Sequence, residues 1–76
     1  YKAGDITIYP NPTYDEITLK INDYQGPIKV QIHDLNGKLV KEGKERNIDL
    51  TSLESGIYTL LVTYGDKEMS LKVMKK

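Results

Sequence analysis

The feature that most constrains this chain is an alternation of apolar and polar residues with period two, repeated from one end to the other. It runs through "DITIY" (Ile6, Ile8), "EITLKI" (Ile17, Leu19, Ile21) and "IKVQIH" (Ile28, Val30, Ile32). It continues in "NIDL" (Ile48, Leu50), "IYTLLVTY" (Tyr58, Leu60, Val62, Tyr64) and "MSLKV" (Met69, Leu71, Val73). Successive side chains of a strand point to opposite faces, so this pattern gives strands with one buried and one wet face. "KLVKEG" is a weaker seventh strand. No stretch of eleven or more residues has a 3.6 period, and "DLTSLESG" is one helical turn at most, closed by Gly56. The expected fold is all-β: an immunoglobulin-like antiparallel β-sandwich of about seven short strands. Its core is expected to contain Ile8, Leu19, Val30, Ile32, Ile48, Leu60, Val62 and Leu71.

Two turns set registers. A two-residue Gly65-Asp66 turn pairs Tyr64 with Lys67, Val62 with Met69, Leu60 with Leu71 and Tyr58 with Val73. Each apolar residue then meets another on a single face, apart from Lys67, and a one-residue slip destroys the match. The opposite face holds Thr59, Thr63, Ser70 and Lys72, with Leu61 and Met74 as apolar exceptions. In "DLNGKLV", Asp34 and Gly37 suit the first and fourth positions of a type I turn, with Gly37 in the left-handed region as a bulge. That geometry predicts Val40 opposite Ile32. A two-residue Asn36-Gly37 turn is the alternative.

"IYPNP" interrupts the pattern early. Proline lacks the N–H a sheet needs, and the residue before it avoids helical angles, so Pro10, Asn11 and Pro12 are expected to form a stiff, extended crossing. It ends the first strand, delivers the chain to a turn at Thr13–Asp15, and carries it between sheets without ladder bonds. It also blunts a sheet edge. Asn11-Pro12-Thr13 is no glycosylation acceptor, since proline holds the middle position.

Composition excludes several classes of function. Seventy-six residues make one small domain, able to bury about 60–65% of the surface its unfolded chain exposes. There is no Cys, hence no disulfide, thiolate metal site or cysteine nucleophile. Eleven basic and eleven acidic residues leave no basic stripe for nucleic acid. No apolar run approaches the roughly 18 residues of a membrane span, and no secretory h-region is present. Beginning at Tyr1 rather than Met, the chain is expected to be part of something longer. The single His33 falls on a polar face with Lys29 and Gln31, as a solvated residue. Asp15, Asp34, Asn36, Asp49 and Asp66 lack calcium-loop spacing and suit turns. No catalytic constellation, metal site or cofactor motif is found. Tyr58 and Tyr64 point inward as core, while Tyr1, Tyr14 and Tyr24 are unassigned.

The succession "IYPNPT", "VQIHDLNGKLV", "IDLTSLESGIYTLLV" and a basic "KEMSLKVMKK" resembles the C-terminal sorting domain of type IX secretion (the Por secretion system, type A) over nearly the whole chain. The turn after the prolines departs from the family, with Tyr14-Asp15 where glycine is common. The resemblance implies a single C-terminal sorting domain over residues 1–76, a secretion signal and not an enzyme. A cargo domain on its N-terminal side crosses the inner membrane of a Gram-negative bacterium by an ordinary signal. The sorting domain then directs it from the periplasm through an outer-membrane translocon to the cell surface or medium. A sortase-like surface peptidase removes the domain and attaches the cargo to the cell. The positions implied for translocon or sortase recognition are Gly56, Tyr58, Lys72, Val73, Lys75 and Lys76; Pro10, Asn11, Pro12, Asp34, Gly37 and Val40 carry the structural motif. The competing expectation is an immunoglobulin-like accessory module of a surface enzyme, binding carbohydrate or spacing domains.

Overall fold

A computed structural model describes the backbone of residues 2–3 and the whole of residues 5–76. Within them lie eight strands and no helix: β1 (Lys2–Ala3), β2 (Ile6–Tyr9), β3 (Glu16–Ile21), β4 (Ile28–His33), β5 (Leu39–Gly43), β6 (Asn47–Asp49), β7 (Gly56–Tyr64) and β8 (Lys67–Lys75). Seven are the expected ones. The addition is β1, two residues paired antiparallel with Thr7 and Ile6 and too short to show an alternation.

The strands form two antiparallel sheets, ordered β1-β2-β3-β6 and β5-β4-β7-β8, packed as a sandwich. Each alternation sends its apolar set between them. Ile6, Ile8, Ile17, Leu19 and Ile21 from the first sheet meet Ile28, Val30, Ile32, Leu60, Val62, Leu71 and Val73 from the second, all buried. All eight expected core residues are among the buried set, and Tyr58 and Tyr64 are inward as expected. Tyr24 packs its ring edge-on against Tyr64 at 5.6 Å. Its hydroxyl donates to the Pro27 carbonyl (2.6 Å) and accepts the Gly65 N–H (3.0 Å), pinning the β7–β8 turn from outside that hairpin. Tyr14 is exposed, and Tyr1 lies outside the described residues.

The β7–β8 register is the expected one, Tyr64 with Lys67 through Tyr58 with Val73, closed by Gly65 at φ 62°. In the Asp34–Gly37 turn the Gly37 N–H donates to the Asp34 carbonyl (3.0 Å) and Gly37 has φ 82°, so the bulged type I turn forms. The Asp34 carboxylate accepts the N–H groups of Asn36 and Lys38, at 2.9 and 3.0 Å. The partner of Ile32 differs from expectation. Leu39 pairs with His33, the register then shifts, and Lys41 rather than Val40 stands opposite Ile32. Val40 is the extra residue of a second bulge and packs, half-buried, against the core. That shift lets the Lys41 ammonium reach the carbonyl of Asp49 on β6, in the other sheet.

Candidate functional site

The site is built where the proline segment meets the end of β8. Residues 10–12 and 14–15 are bends, and both the Tyr9–Pro10 and Asn11–Pro12 bonds are cis. Its run of bends makes the segment compact, not the extended crossing expected of it. Nor is it free of ladder bonds. Thr13 forms a parallel bridge with Lys75: its N–H donates to the Met74 carbonyl (2.9 Å) and its carbonyl accepts the Lys76 N–H (2.8 Å). The chain then returns to its own sheet, where β3 pairs with β2.

Asn11 extends this pairing with its side chain. Its amide nitrogen donates to the Lys72 carbonyl (3.1 Å) and its amide oxygen accepts the Met74 N–H (3.0 Å). One carboxamide thus imitates a peptide unit of a neighbouring strand, offering one donor and one acceptor to successive outward groups of β8. Pro10 and Pro12 fix the φ angles on either side, which limits the conformations Asn11 would otherwise lose on forming these bonds. Among the described residues Thr13 is the one buried polar residue, and its hydroxyl is satisfied by donation to the Glu16 carbonyl at 2.7 Å. Buried polar groups that keep partners are tolerated, so the clasp sits in the structure without an orphaned atom.

The residues implied in recognition fall into two groups. Tyr58 and Val73 are buried, 8% and 1% exposed, and the Tyr58 hydroxyl is committed to the Glu54 carbonyl at 2.6 Å. Their side chains hold the hairpin onto the core and present nothing outside. Gly56, Lys72 and Lys76 are exposed, and Lys75 is half-buried with its ammonium on the Lys76 carbonyl. The Lys76 ammonium lies 5.9 Å from the centre of the Tyr14 ring, within cation–π range. Of the structural motif, Pro10, Asn11 and Pro12 belong to this site; Asp34, Gly37 and Val40 lie at the β4–β5 turn and its bulge.

The outer face beside the clasp carries a groove of about 420 Å³ lined by Asn11, Pro12, Ile57, Lys72, Val73 and Met74. Ile57 and Met74 face each other across β7 and β8 and remain 38% and 43% exposed. Ile57 had no place among the residues singled out from the sequence. The signal was there: it precedes the inward Tyr58 by one residue and must point outward.

Comparison with known proteins gives two findings. The family described as "Secretion system C-terminal sorting domain" matches residues 7–76. The chain is also 36% identical over 73 residues to the protein named "Ulvan lyase NLR42" of Nonlabens ulvanivorans. That match covers 90% of this chain but 14% of the relative, so the chain spans about a seventh of the relative's length.

Proposed function

The chain belongs to the C-terminal sorting domain family of type IX secretion, and from that premise we propose that it is the address label of a larger cargo, read by an outer-membrane translocon. The observation that carries this reading is the family match, which takes in both the proline clasp and the whole β7–β8 hairpin. A compact sandwich suits the task, because a folded label presents the same surface whatever cargo precedes it. In this reading the domain is a ligand and substrate of the machinery, not a catalyst. The cargo travels through the periplasm of a Gram-negative bacterium to the surface or medium. There a sortase-like peptidase cuts the domain away and joins the cargo to the cell envelope. Lys72, Lys75 and Lys76 are the exposed or half-exposed groups offered to this machinery, with Gly56 beside them.

The test is a fusion of residues 1–76 to the C-terminus of a periplasmic reporter, expressed in a host with the secretion system. The expected outcome is reporter outside the cell, shortened by the loss of the domain. Reporter held in the periplasm by a host that exports its own cargo would overturn the reading. Full-length reporter released with the domain still attached would overturn only the proteolytic step.

A further inference from the structure

The groove beside the clasp has a chemistry that selects its occupant. Its apolar lining comes from the side chains of Pro12, Ile57 and Met74, while Val73, the residue between Lys72 and Met74, turns its own side chain into the core. Among its lining residues Lys72 alone carries a charge, and among the described residues its ammonium has no ion-pair or hydrogen-bond partner. The described ion pair, Lys67 with Asp5, lies at the far end of the hairpin. A strand added along β8 is ruled out here, because the Lys72 carbonyl, both main-chain groups of Met74 and the Lys76 N–H are already bonded to Asn11 and Thr13. Main-chain recognition by edge addition needs those groups free. What is left for a partner is the side-chain face.

We propose that this groove is the grip of a partner protein in the secretion machinery, which seats one apolar side chain between Pro12, Ile57 and Met74 and pairs a carboxylate with Lys72. The proposal rests on the sorting reading and gives it a mode of contact. The charge pattern chooses the partner's chemistry: an unpaired cation at the rim of an apolar groove complements a carboxylate beside an apolar anchor and repels a second cation. Anchors of this kind, seated in a pocket and ringed by polar contacts, carry most of an interface's affinity.

The experiment uses the reporter fusion with four single variants: Ile57→Asn, Met74→Gln, Lys72→Met and Lys72→Glu. All three side chains are outward, so purified domains should melt near the parent; Met74→Gln keeps the chain length and serves if Ile57→Asn fails to fold. Export of the parent fusion tests the sorting reading by itself, before any variant is considered. Given that export, the expected result is about a tenfold fall in the secreted fraction for Ile57→Asn or Met74→Gln, the equivalent of one lost anchor. Lys72→Met should fall less than Lys72→Glu, since the first removes an attraction and the second adds a repulsion. Parent-level export of all folded variants would overturn the groove. Equal losses for Lys72→Met and Lys72→Glu would overturn the carboxylate. A parent domain that sediments as a dimer, dissociated by Ile57→Asn or Met74→Gln, would make a second copy the occupant and overturn the partner proposed.

Discussion

At one margin of the sandwich the outer edge of β8 is covered by Asn11 and Thr13, which together take up three of its main-chain groups and the Lys76 N–H just past its end. At the other margin β5 and β6, the last strands of the two sheets, face each other across an open cleft of about 250 Å³ floored by Val30, Ile32 and Ile48. The Lys41 ammonium reaches across it to the Asp49 carbonyl. Both margins face one hazard, an unpaired strand edge that invites another chain. The β8 edge is covered by a rigid segment sixty-one to sixty-three residues away in sequence. The β5 edge is spoiled from within, by the bulge at Val40 and by lysines at positions 41 and 44. The difference fits their duties. A covered edge keeps the shape of the C-terminal strand fixed, so its outer side chains form a defined surface. A bulged edge need only discourage contact.

The two margins share one core, and the largest expected effect comes from breaking it. Leu60 is fully buried on β7, between Ile32 and Leu71 in the ladder. Leu60→Ala should cost about 2–5 kcal/mol in chemical denaturation, and both margins should loosen together. Loss of amide protection at β5 while the end of β8 stays protected would mean that the margins are separate units.

A smaller effect separates the margins directly. Asn11→Ala removes two hydrogen bonds from the β8 edge and should cost about 1–2 kcal/mol, with faster exchange at the Met74 amide. Lys41→Met keeps the aliphatic stem over the cleft, removes one exposed hydrogen bond and should cost about 0.5 kcal/mol or less. Equal costs for the two would show that the clasp is no stronger a cover than a single lysine.

What could be read from the sequence followed the range of the forces involved. The β7–β8 register was legible because a two-residue turn and a strict alternation agree, and both are local. The Gly37 turn was legible for the same reason, through Asp34 and a glycine that takes positive φ without a Cβ penalty. The second bulge was not. Leu39 and Val40 are adjacent and both apolar, so the alternation fits either phase; the fold settles on the one that packs Val40 against the core and leaves Leu39 exposed. The prolines announced an edge device but not its edge, since the partners of Asn11 lie at the far end of the chain. Their bends and carboxamide bonds replaced the extended, unpaired crossing that proline chemistry alone suggests. At the candidate site, alternation marked Lys72 and Met74 as outward and Tyr58 as inward. It could not show that Pro12 closes a groove beside them.

The smallest expected effect tests what holds the open margin. The Asp49 carboxyl is kept below its ordinary value of 3.8, first by the hydrogen bond from the Thr51 hydroxyl and then by the Thr51 N–H, with the nearby Lys41 charge a lesser contribution. Partial loss of hydration opposes them. A carboxyl depressed in the folded state adds stability above its unfolded pKa and loses it as pH falls through the folded one. The contribution should therefore be whole at neutral pH and disappear in acid, below about pH 4. Thr51→Val deletes the hydroxyl and keeps the N–H, so a carboxyl-carbon NMR titration should find the Asp49 midpoint moved up towards its ordinary value. Lys41→Met should move it in the same direction by less. In both variants the stability difference from the parent that arises from Asp49 should close below about pH 4. A larger shift for Lys41→Met would make charge across the cleft, and not the local turn at Thr51, the principal hold on Asp49. The open margin would then be bridged by its own clasp, and its contrast with the β8 edge would be one of strength alone.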